Sequence, residues 1–236
     1  MAGNIKGLLF DKDGTLLDFN ATWGQWASGF LADLAQGDAA LTARMGDAIG
    51  YDVARGVFAP TSPVIAGTAD VAIDLLLPFV PHWERDALLA HGNAASAAAP
   101  LVAPCDLPAL FDAFDARGLP CGVATNDAES TAITHVKALG LEDRFNRILG
   151  FDSGHGGKPA PDMLWAFSKP LGLAPHEVAM IGDSTHDLHA GRAAGMVCVG
   201  VLTGPATRVE LEPHADVVLG SVADLPAWLD SPKNDG

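Results

Sequence analysis

Ile5-Lys6-Gly7-Leu8-Leu9-Phe10-Asp11-Lys12-Asp13-Gly14-Thr15 is the stretch whose reading decides the fold. Residues 5–10 are mainly apolar and run straight into a turn carrying two carboxylates and a glycine. So short and continuous an apolar run, closed by a turn, predicts a strand buried on both faces, as in a parallel sheet. The pattern returns late in the chain, at residues 119–125, 147–151, 178–181, 196–201 and 216–219. Helical patterns lie between these runs. Leu107, Leu110, Phe111 and Phe114 share a helix face, with Gly118 following as a stop. Ile133, Val136 and Lys137 precede Gly140 in the same way, and Leu164, Trp165 and Phe167 fall in the next helix. Strands alternating with helices predict an α/β fold: a doubly wound parallel sheet with helices on both faces.

Residues 18–100 read differently, with no convincing strand. Trp23, Trp26, Phe30, Leu31 and Leu34 follow helical spacing, with Thr22 as the expected N-cap and Gly37 as the stop. Helical patterns also fit residues 41–49, 69–77 and 83–95, and a Pro-rich stretch at 100–108 marks the return to the α/β pattern. The expected organisation is a core of residues 1–17 and 101–230, an inserted all-helical domain of residues 18–100, and a frayed tail at 231–236.

Composition narrows the function. The 236 residues are 49% apolar and 18% charged, enough for a globular core without staples. A formal net charge of −15 argues against nucleic-acid and membrane partners, because an acidic surface repels phosphate backbones and anionic lipid. Cys105, Cys121 and Cys198 are widely spaced and form no C-x-x-C pair, which fits reduced thiols in a cytoplasmic protein. The apolar run at residues 5–10 is too short for a signal sequence or a membrane span.

Four polar clusters sit just after predicted strands: Asp11, Asp13 and Thr15; Thr125, Asn126 and Asp127; Gly157, Lys158 and Pro159; and Gly182, Asp183, Ser184, Thr185, His186 and Asp187. In open α/β sheets ligands bind outside the carboxyl ends of the strands, so all four clusters are expected at one edge. Several carboxylates gathered there require a cation, and a donor set made only of oxygens favours magnesium. A hydroxyl, a lysine and loop N–H groups add donors for an oxyanion, which together suit phosphoryl transfer.

In order and placement these clusters resemble the four signature motifs of the haloacid dehalogenase superfamily, and in particular its phosphoglycolate phosphatase-like members with a helical cap after the first motif. The resemblance spans Asp11 to Asp187 closely and the core almost throughout. It implies an Asp11 nucleophile forming an aspartyl-phosphate, with Asp13 protonating the leaving alcohol and then accepting a proton from water. It implies that Thr125 and Lys158 hold the phosphoryl group, with Gly14, Thr15 and Asn126 contributing to the same cradle. Mg2+ would bind Asp11, Asp183 and the Asp13 carbonyl, with Asp187 in direct or outer contact. Dehalogenases of the superfamily lack an Asp at position 13, so its presence here favours phosphate esters. The implied substrate is a small phosphorylated metabolite, and the implied cap motion excludes water until the intermediate forms. A sugar-phosphate mutase and a non-catalytic scaffold are the alternatives. A phosphonate-cleaving enzyme would need a cap lysine, and residues 18–100 contain none.

Several residues have plainer readings. Asp11-x-Asp13-Gly14 alone is a common turn, and Asp183 alone could cap a helix. Lys12 is expected to face away from the site, solvated or ion-paired. His186 and His189 invite a zinc site, but without a third soft ligand they read as a solvated helix face, and His155 reads as an exposed loop histidine. Trp23 and Trp26 are expected in the helical core, with walling of the pocket beside the catalytic loop as the alternative for Trp23. Arg44 and Arg55 are candidate carboxylate binders or simple surface residues. Nothing in the sequence reads the oligomeric state, and a homodimer stays open.

Overall fold

The computed structural model describes residues 4–59, 61–65 and 69–231. Strand β1 (Gly7–Phe10) is followed by α1 (Phe19–Ala35), α2 (Ala39–Ala48), β2 (Tyr51–Asp52), β3 (Val57–Phe58), α3 (Ala69–Leu76) and α4 (Arg85–Ala97). The chain then runs through α5 (Leu107–Asp115), β4 (Cys121–Ala124), α6 (Glu129–Ala138), β5 (Arg147–Leu149), α7 (Asp162–Ser168), β6 (Val178–Gly182) and α8 (Thr185–Ala194). It closes with β7 (Val197–Val201), α9 (Arg208–Leu211), β8 (Val217–Leu219) and α10 (Leu225–Leu229). The chain divides into two compact units: one through Asp18 and from Ala103 onward, the other Phe19–Val102. The expected tail lies, beyond Ser231, outside the described residues.

The first unit is built on a six-stranded sheet in the order β5-β4-β1-β6-β7-β8, with every pairing parallel. All six runs expected to be strands are strands. The period-two alternation of side chains divides the core into two layers. Leu8, Phe10, Cys121, Val123, Ala179 and Ile181 face one way, against Leu107, Phe111 and Phe114 of α5 and Val136 of α6. Leu9, Ala124, Val178 and Met180 face the other way, against Met163, Leu164 and Phe167 of α7 and Ala190 of α8. The sheet is thus doubly wound. After β1 the strand order proceeds outward through β4 and β5, then returns to the far side of β1 through β6, β7 and β8. The reversal leaves a crevice at the carboxyl ends of β1, β4 and β6.

The second unit has its own core, in which Phe30, Leu31 and Leu34 of α1 pack with Met45, Ile73, Leu76 and Leu88. It is helical with one addition. Residues 51–58 form an antiparallel hairpin, pairing Tyr51 with Phe58 and Asp52 with Val57. Asp52 Oδ1 accepts from the Ala54 and Arg55 N–H groups and sets the turn. Thr22 is not the N-cap, because α1 begins three residues earlier at Phe19. It is buried inside the helix, where its Oγ1 accepts from the Val102 N–H at 3.0 Å. Trp26 stacks on Phe30 with centroids 5.2 Å apart, and both indoles pack against this core. Arg44 and Arg55 are exposed.

Candidate active site

The turn after β1 is held from several sides. The Asp11 N–H donates to the Ile181 carbonyl at 2.8 Å, and the Lys12 carbonyl accepts from the Leu16 and Leu17 N–H groups. Gly14 adopts φ +85°, and a Cβ there would overlap the Asp183 carboxylate, so the position requires glycine on both counts. Thr15 is buried, and its Oγ1 has no hydrogen-bond partner among the described residues.

Asp11, Asp183 and Asp187 meet as a buried group, each offering an oxygen within 4.8 Å of the others. Lys158 enters from the loop before α7 and donates through Nζ to Asp11 Oδ1 and Asp187 Oδ1, both at 2.6 Å. Asp187 also closes the N-terminus of α8, where its Oδ2 accepts from the Ser184 N–H at 3.0 Å and the Ser184 hydroxyl at 2.6 Å. The helix-capping role that the sequence suggested for Asp183 falls instead to Ser184 and Asp187, so Asp187 serves both the helix end and the site. No donor from another described residue reaches the Asp183 carboxylate.

Three carboxylates face one ammonium in a place that water does not screen. Burial, joined by Asp187 and Asp13 and opposed by Lys158, pushes the Asp11 carboxyl up to about 7. Burial, with Asp187 and Asp11, also drives Asp183 well above the ordinary carboxylate range. Burial acts to lower Lys158, but Asp11 and Asp187 outweigh it and hold the ammonium above its usual value. The excess negative charge and the all-oxygen donor set fit a hard divalent cation.

Thr125 directly follows β4 and is buried; its Oγ1 accepts from the Asp127 N–H at 3.1 Å, leaving the hydroxyl hydrogen to donate elsewhere. Both ends of the Asn126 amide are taken by the backbone of residue 158: Oδ1 accepts from its N–H at 2.7 Å and Nδ2 donates to its carbonyl at 3.0 Å. Asn126 thus fixes the loop that delivers Lys158. Asp13 stands apart from the metal-capable group, and both of its oxygens are held by Lys12 Nζ, at 2.7 and 2.6 Å. The expectation for Lys12 is met only in part: it is ion-paired, but it is fully buried rather than solvated.

The loop after β7 adds a cluster that the sequence reading missed. Thr203 Oγ1 donates to the Gly14 carbonyl at 2.6 Å, and a Cβ at Gly204 would overlap Asp183. The signal was the same strand-end rule, here with no titratable residue to draw attention. His189 Nε2 lies 3.3 Å from His214 Nδ1, His186 is half-buried at the start of α8, and His155 is half-buried in its loop.

The haloacid dehalogenase-like hydrolase family matches residues 5–195, and the chain belongs to that family. It is 34% identical to a phosphoglycolate phosphatase of Rhodospirillum rubrum, over 98% of this chain and 93% of that protein. At the level of fold it is similar to a predicted phosphoglycolate phosphatase from Haemophilus somnus (TM-score 0.70, 19% identity, 95% of this chain and 98% of that one). It is also similar to a beta-phosphoglucomutase from Clostridium difficile (TM-score 0.64, 17% identity, 94% and 93%).

Proposed function

We infer that the chain hydrolyses a small phosphate monoester of the phosphoglycolate kind through a covalent intermediate on Asp11. The observation that carries this reading is the buried Asp11–Asp183–Asp187 group against Lys158 at the switch point of the sheet. The Rhodospirillum rubrum relative supports the substrate class.

Asp11 and Asp183 would hold Mg2+ together with the Asp13 carbonyl. Asp187 is better suited to outer contact, since its two oxygens already accept from Lys158 and Ser184. Magnesium there would offset the carboxylate charge and that of the bound phosphoryl group. The Asp11 carboxylate attacks phosphorus, a P–O bond to Asp11 forms, and the bond to the leaving alcohol breaks. Asp13 gives its proton to that leaving oxygen. It then takes a proton from the water that attacks the aspartyl-phosphate, releasing inorganic phosphate and restoring the Asp11 carboxylate. The Thr125 hydroxyl and the Lys158 ammonium bind phosphoryl oxygens, with Gly14 and Thr15 shaping the turn beneath them. Asn126 acts by holding the Lys158 backbone.

No helix among the described residues is long and apolar enough to cross a membrane. A cytoplasmic enzyme acting on a small soluble metabolite fits that observation and the acidic charge. The test is phosphate release from a panel of small phosphorylated metabolites, with and without magnesium. Magnesium-dependent release from phosphoglycolate or a close analogue is expected. Isomerised sugar from a hexose phosphate with no phosphate release would replace this reading with a mutase, and inactivity across the panel would leave only a scaffold.

A further inference from the structure

Lys12 lies between the two carboxylates of the first motif, and its side chain is 0% exposed. An ammonium removed from water is costly unless it is paired on several sides. Lys12 Nζ is 2.7 and 2.6 Å from the two oxygens of Asp13, 3.3 Å from Asp127 Oδ2 and 3.1 Å from His135 Nδ1. His135 is itself fully buried on α6. With an ammonium as donor, its Nδ1 is the acceptor and the ring proton sits on Nε2. Two carboxylates and the imidazole acceptor supply the pairing that a buried ammonium requires.

These four groups come from the β1 turn, the loop after β4 and the second turn of α6. They form a charge cluster distinct from the Asp11–Lys158–Asp187 group. Each cluster has one buried lysine that serves two carboxylates. Lys158 serves the nucleophile, and Lys12 serves the residue that the functional reading assigns to proton transfer.

We propose that Lys12, anchored by Asp127 and His135, is the positioning residue that fixes the Asp13 carboxylate for proton transfer to the leaving group. Asp13 sits on the turn after β1 with its side chain 22% exposed. A donor bonded to both oxygens fixes both side-chain torsions. Each carboxylate oxygen still has a lone pair for the travelling proton. The inference rests on the phosphatase reading above.

The test compares two esters on the full-length chain with magnesium. kcat/KM reports the steps up to phosphoryl transfer to Asp11. Phosphoglycolate has an alkoxide leaving group that needs a proton, whereas p-nitrophenyl phosphate releases a stable phenolate that does not. In Lys12→Met, kcat/KM for phosphoglycolate should fall about 10- to 100-fold, part of the 10²–10⁴ that a well-placed general acid supplies, while that for p-nitrophenyl phosphate falls about threefold or less. Should Lys12→Met fail to fold, His135→Gln decides: it loosens the lysine from the far side and should show the same selective loss, smaller in size. Equal loss on both esters would mean a structural role only and would overturn the proposal, as would no loss on either. A wild-type chain inactive on both esters would instead sink the phosphatase reading, and this inference with it.

Discussion

Replacing Asp11 with Asn should stabilise the metal-free protein. Asp11 is 7% exposed and shares its site with Asp183 and Asp187, against the single ammonium of Lys158. Burial, with Asp187 and Asp13, pushes its carboxyl from 3.8 up to about 7, so the folded chain holds a proton that the unfolded chain releases. Stability therefore falls as pH rises through the window from about 4 to about 7, and stays low above it. Roughly three pH units at about 1.4 kcal/mol each set a ceiling near 4 kcal/mol. Asn carries no charge at any pH but weakens the bond to Lys158, which removes about half of that gain. A net gain of about 2 kcal/mol is expected near pH 7.5, shrinking toward zero near pH 5. Urea unfolding in EDTA at several pH values measures both quantities. A variant no more stable than wild type near pH 7.5, or a difference that does not change with pH, would refute the charge-crowding argument.

Lys158→Ala should destabilise the metal-free chain by about 3–5 kcal/mol, since it strands Asp11 and Asp187 in the interior; chemical denaturation reads the loss, and magnesium should recover more of it than it adds to wild type. Phe111→Ala should cost about 3–5 kcal/mol, because the ring packs at 5.5 Å from Phe10 and Phe114 and 4.9 Å from Phe145. Gly204→Ala, whose Cβ would overlap Asp183, should weaken magnesium binding by about tenfold or more in calorimetry while leaving the far-UV spectrum unchanged.

The sheet was legible because each strand buried on both faces is a continuous apolar run ended by Gly or a polar turn. The hairpin at residues 51–58 was not, because strands of two residues are too short to show a period; only Asp52 at the head of its turn signalled it. The start of α1 was misplaced because Thr22 has the chemistry of a cap, and its use as a buried acceptor for Val102 depends on a residue eighty positions away. Asp11, Thr125, Lys158, Asp183 and Asp187 could be picked out because each follows a strand on one sheet edge. Thr203 and Gly204 share that edge, but a hydroxyl and a missing Cβ advertise no chemistry. The environment of Lys12 was hidden for a similar reason: its partner His135 reads in sequence as one more residue on a helix, and only the fold brings the two together.

The central claim is that Asp11 is the nucleophile of a phosphate-ester hydrolase, and single-substitution kinetics test it most directly. Inorganic phosphate released from phosphoglycolate in the presence of magnesium should fall by about a thousandfold or more in Asp11→Asn, with the protein still folded. An Asn variant that retains a tenth or more of wild-type turnover would contradict the account.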